Sequence, residues 1–151
     1  TRILTRKNRL RRHERIPIMK VLMADGWTKV RPRIPGIRRF LRPVSDGLLL
    51  AGGGGEVVSF QIVIVAEDQP LKDVTVTVEP VRGWKGPALE PDAVEMFRVG
   101  YVWAPETEYT GGLPAGWWPD PLFPMEPFPV LPGEFQTVWV NLRIPRGLPE
   151  E

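Results

Sequence analysis

Proline and glycine together occupy 33 of the 151 positions, well above an ordinary usage of roughly 12%. They act as punctuation, because apolar runs with a period of two lie between them. Val58, Phe60, Ile62 and Ile64 alternate with Ser59, Gln61 and Val63, which places four large side chains on one face of a strand. Val74, Val76 and Val78 alternate with Thr75, Thr77 and Glu79 up to Pro80. Val138, Val140, Leu142 and Ile144 alternate with Trp139, Asn141 and Arg143 until Pro145 stops the run. Residues 94–103 are rich in β-formers, and Gly100 within them marks a bulge or a close backbone approach. Shorter strand candidates lie at 20–23 and 48–51. Helical periodicity is nowhere sustained over the ten or so residues a stable helix needs. These signals predict an all-β fold, an antiparallel β-sandwich.

Two segments break the rhythm. Residues 1–18 carry seven Lys/Arg and one acid with few apolar side chains, which predicts a solvated, poorly ordered basic arm. The arm has no apolar stretch of the kind a secretory signal carries. Met19 follows directly, so the arm is open to being foreign to the domain, and the sandwich is expected over 19–151. The second segment, 105–132, holds eight prolines in 28 residues. Each proline lacks a backbone donor, so this stretch is expected as a long loop without a strand ladder. Trp117, Trp118, Leu122, Phe123, Met125 and Phe128 predict that the loop is ordered and packs against something.

Charge and composition remove whole classes of function. Residues 1–42 hold 14 Lys/Arg against Glu14 and Asp25, whereas 43–151 hold six against 16 acids. From Met19 onward the net charge is −4, so the basicity belongs largely to the arm. There is no cysteine, which removes disulfides, thiolate metal sites and a cysteine nucleophile. His13 is the only histidine, so a Ser-His-Asp triad or a zinc site of several histidines would have to start there. No metal site or cofactor is expected. No run of 18 apolar residues is present, and no membrane-spanning helix is expected.

The remaining chemistry is thin. Residues 52–55 are four glycines, but no Gly-Lys-Ser/Thr and no helix follow them, and a tight turn is the better reading than a phosphate loop. Glu106, Glu108 and Asp120 are acids in the long segment without a histidine to tune them. Asp120, between two prolines, is expected to cap a turn. Trp103, Tyr109, Trp117 and Trp118 could form a flat stacking platform for sugar rings or fill an interface, and packing is the commoner use of such rings. The basic stretch from Arg31 and Arg33 through Arg38, Arg39 and Arg42 could meet phosphates. Only Phe40 interleaves it, so a solvated charged face is expected over nucleic-acid binding.

Four passages, in order, resemble the N-terminal β-sandwich domain of glycoside hydrolase family 123 and related bacterial proteins. They are Val-Leu-Met-Ala-Asp-Gly-Trp-Thr-Lys-Val-Arg-Pro at 21–32, and Gly-Glu-Val-Val-Ser-Phe-Gln at 55–61. The third is Val-Gly-Tyr-Val at 99–102 with Trp-Pro-Asp-Pro-Leu-Phe-Pro at 118–124, and the fourth is Gln-Thr-Val-Trp-Val-Asn-Leu-Arg-Ile-Pro at 136–145. The resemblance implies a non-catalytic accessory domain that packs on and orients a downstream (β/α)8 barrel, the barrel holding the acids that remove N-acetylgalactosamine. It implies structural roles for Glu56 and Gln61 through side-chain hydrogen bonds, beside Gly100 and Trp139, and a turn at 118–124 near the domain junction. The family continues through one more strand, so the sandwich is expected to lack its last strand. Two alternatives stay open: a carbohydrate-binding module using the Trp/Tyr cluster, and an interaction domain whose basic arm binds nucleic acid.

Overall fold

The computed structural model describes residues 2–5, 18–32, 41–44, 50–79, 91–106 and 114–146. They form nine strands: β1 (Arg2–Thr5), β2 (Met19–Asp25), β3 (Arg42–Pro43), β4 (Val57–Ala66), β5 (Leu71–Thr77), β6 (Val94–Ala104), β7 (Gly116–Pro124), β8 (Phe128–Val130) and β9 (Phe135–Arg143). A 3-10 turn, Pro91–Ala93, precedes β6, and there is no α-helix among the described residues. The strands make two antiparallel sheets, one of six strands in the order β3-β2-β4-β9-β6-β7 and one of three in the order β1-β5-β8. The fold is an all-β sandwich.

The core explains why these strands form. Ile62, Ile64 and Ala66 of β4 and Val138 and Val140 of β9 meet Leu71, Val74 and Val76 of β5 and Phe128 and Val130 of β8 between the sheets. Each such side chain taken fully out of water contributes about 1.5–3 kcal/mol. The opposite face of β4 is covered as well. Val63 and Val65 pack with Ala24, Val30 and Leu41, so residues 61–66 are buried without a break. Alternation on β4 therefore reads one face correctly and misses the second. The continuous apolar run Ile62–Val63–Ile64–Val65–Ala66 is the mark of a strand covered on both sides.

Three expectations change. The proline-rich segment is not a ladder-free loop, for β7 and β8 lie inside it. Strand β7 is the edge of its sheet and pairs only with β6. An edge strand can turn the missing donors of Pro119, Pro121 and Pro124 to its open side, where no ladder bond is lost. The ladder slips between Val99 and Tyr101, at Gly100. A side chain there is excluded: its Cβ would lie 2.8 Å from Pro121 Cγ and closer still to Phe123. The second change concerns the basic arm, of which residues 2–5 pair with 74–77 as an edge strand. Residues 6–17, His13 among them, lie outside the described residues. The third is the candidate at 48–51: positions 50 and 51 are irregular, and 48 and 49 lie outside the described residues. Residues 147–151, where a last strand would follow, also lie outside them.

Candidate functional site

Between Asp25 and Thr28 the chain turns sharply after β2. The Asp25 carboxylate accepts hydrogen bonds from Trp27 N (3.0 Å), Thr28 N (2.7 Å) and the Thr28 hydroxyl (2.8 Å). These bonds, the Thr28 hydroxyl first, hold the Asp25 pKa below the usual carboxylate value. Gln61 secures the same loop from beneath, its Nε2 donating to Asp25 O (2.7 Å) and Thr28 O (2.8 Å). Trp27, at the apex, is 91% exposed. A ring that large is held out in water by a loop that is braced on both sides.

Beside this loop lies a cleft of about 210 Å3 on the six-stranded sheet. Gly26, Thr28 and Lys29 form one wall and Pro119, Asp120 and Leu122 of β7 the other. Gln61, Val99 and Trp139 complete its lining. The indole of Trp139 is fixed, with Nε1 donating to Asn141 Oδ1 (2.8 Å), which also accepts the Ser59 hydroxyl (2.7 Å). Asp120 is an exposed strand residue of β7, not the cap of a turn, and 118–124 is strand throughout. The β-pairing with β6 carries this stretch past its prolines.

The tryptophans expected to act together take separate roles. Trp103 and Trp117 are cross-strand partners on β6 and β7 and meet edge to face, centroids 5.7 Å apart and planes at 75°. That geometry suits aromatic quadrupoles and does not make a flat platform, the less favoured of the two uses the sequence left open. Both rings stay exposed, Trp103 at 59%. Trp118 stacks under the Arg31 guanidinium, 3.5 Å from the ring centroid. Tyr109 and Glu108 lie outside the described residues, and Glu106 is exposed beyond β6.

Arg31 corrects the reading of its stretch as a solvated face. Its residue exposure is 5%. Nε donates to Trp117 O and Nη2 to Pro114 O, each at 3.2 Å, and a Cβ on Gly116 would stand 2.6 Å from Nη2. A guanidinium carries enough fixed donors to satisfy two backbone carbonyls while its face covers an indole. Its partners lie 83 and 86 residues away in sequence, so no local signal reveals it. Arg42 is exposed on β3, and Arg33, Arg38 and Arg39 lie outside the described residues.

Glu56 closes the glycine run: its carboxylate accepts Gly53 N (2.8 Å), and its own N–H donates to Gly53 O (3.0 Å). No helix N-terminus follows, so backbone amides are not gathered here for a phosphate. Tyr101 donates to the Thr137 hydroxyl (2.9 Å), and burial pushes its pKa up to about 12 against that bond. No group of three or more His, Cys, Asp or Glu is placed to hold a metal among the described residues. No helix among them is long and apolar enough to cross a membrane.

The sequence matches no protein-family model and no curated protein. Among solved structures, the chain is similar to a family 123 glycoside hydrolase from Clostridium perfringens, whose structural analysis concerns glycolipid glycan hydrolysis. The TM-score is 0.60 at 15% identity, over 86% of this chain and 22% of that one. The likeness shows a fold shared with part of that hydrolase. The chain spans about a fifth of its length.

Proposed function

We propose that this chain is a non-catalytic accessory domain of a glycoside-hydrolase-like protein, and that its β6–β7 end packs on a neighbouring (β/α)8 barrel and orients it. One observation carries the reading: the β6–β7 end is apolar and uncovered. Trp103, Trp117 and Leu122 on one face of the paired strands, and Val102 and Phe123 on the other, are each more than 40% exposed at this end. A contiguous exposed patch of large apolar residues marks a contact surface, whereas scattered ones do not. The fold likeness to part of a much longer hydrolase supplies the kind of neighbour. On this reading the hydrolytic acids, of hexosaminidase type by the resemblance, belong to the barrel, and no residue of this chain is assigned a catalytic role.

The test is a pair of charge insertions, Trp103→Glu and Trp117→Glu, in the natural polypeptide that contains this sequence. The isolated chain should stay folded and lose only the edge-to-face pair, about 0.5–1.5 kcal/mol, because both rings are largely exposed. The longer polypeptide should lose its single cooperative melting transition and show two. An unchanged single transition would overturn the packing assignment. Gripping of glycan by the Trp103/Trp117 pair is the less favoured reading, because rings at 75° share no plane for a sugar to lie on. Nucleic-acid binding through the basic stretch is less favoured too, since Arg31 spends its donors internally.

A further inference from the structure

We propose that the cleft beside the Trp27 loop is a binding site for a single pyranose ring, free or as the end residue of a glycan. The site shares Leu122 with the β6–β7 packing surface, is completed by the loop after β2, Gln61 and Trp139, and goes beyond the accessory role. Its strongest feature is Gln61, which is 2% exposed and lines the cleft. Two backbone carbonyls, of Asp25 and Thr28, fix which end of the amide is nitrogen. With Nε2 taken up by the turn, the amide oxygen is the end of Gln61 that this cleft-lining residue can offer to a ligand.

The other groups narrow the chemistry. Asp120 and Gln61 offer acceptors, and Lys29 offers a donor. A carboxylate opposes an anionic ligand and an ammonium opposes a cation, whereas a hydroxyl serves both as donor and as acceptor. Val99, Pro119, Leu122 and the Trp139 ring supply apolar surface between those groups. A neutral ring with an apolar face and a rim of hydroxyls answers each of them. At about 210 Å3 the cleft is smaller than the roughly 300–1,000 Å3 of sites for drug-sized ligands, and it suits one ring. Trp27 stands between two cleft-lining residues, Gly26 and Thr28, on a loop already held by three bonds to Asp25. Little order has to be created on binding, which favours a small ligand.

The test is a titration of the whole chain with the methyl glycosides of glucose, galactose and mannose, followed by amide and indole NMR signals. At least one should produce saturable shifts at residues 26–29, the Gln61 side-chain amide and the Trp139 indole, with Kd of about millimolar order. Trp27→Ala and Asp120→Asn alter exposed side chains and should each weaken binding about tenfold or more. A disaccharide that binds more tightly than its monosaccharide identifies a chain end as the ligand, and equal affinity identifies the free ring. Acyclic sorbitol should give no saturable shift. Shifts centred on Trp103 and Trp117, equal binding of sorbitol, or no saturable shift with any glycoside up to about 100 mM would each overturn the proposal.

Discussion

Strand β4 and the β6–β7 end belong to one sheet and draw on the same residue types, yet they meet opposite surroundings. On β4, residues 61–66 are buried on both faces, by the three-stranded sheet on one side and by Val30 and Leu41 on the other. On β6 and β7, Trp103, Trp117, Leu122 and Phe123 reach the end of the sheet with nothing described covering them. The first region is finished as a core. The second has the composition of a core and the exposure of a surface, and the proposed packing on a neighbour rests on that difference.

Substitutions sharpen the contrast. Ile64→Ala removes a fully buried side chain and should cost about 2–5 kcal/mol in chemical denaturation. Leu122→Ala, at a half-exposed position, should cost within about 0.5 kcal/mol of nothing. Equal costs would erase the distinction between the two regions. Arg31→Ala should follow at about 2–3 kcal/mol, since it strands the Pro114 and Trp117 carbonyls and uncovers Trp118. Arg31→Lys should recover only part of that, lacking the planar fork. Full recovery would reduce the clasp on β7 to simple charge.

Tyr101, between the two regions, gives a pH test. Its pKa rises from 10.0 to about 12 in the fold, so the unfolded chain releases the phenolic proton first. Its contribution is complete below pH 10 and is lost as pH rises from 10 to about 12. Stability measured from pH 9 to 12 should fall more steeply for the parent chain than for Tyr101→Phe, and parallel curves would contradict the burial argument. Trp103→Ala should cost the isolated chain about 0.5–1.5 kcal/mol from the lost edge-to-face pair. A larger loss would mean that the β6–β7 end is core after all.

The same contrast separates what was legible in the sequence from what was not. Strands β4, β5, β6 and β9 are readable because alternating apolar residues and terminal prolines report local geometry. Gly100 is readable because a glycine among β-formers signals a missing Cβ, and Phe123 and Pro121 occupy that space. Strand β7 is hidden because proline density argues against a strand, and only its place at the sheet edge removes the objection. Arg31 and the cleft are hidden for a different reason. Each depends on groups brought together from β7 and the loop after β2, far apart in the chain. Asp25-Gly26 does signal a turn locally, but nothing near it announces that Gln61 braces that turn from β4.

The most direct test of the central claim is amide hydrogen exchange, measured on this chain alone and within the natural polypeptide that contains it. The account predicts unchanged protection for residues 61–66 and markedly slower exchange at 99–104 and 116–124 in the longer polypeptide. The same fast exchange at the β6–β7 end in both would contradict it.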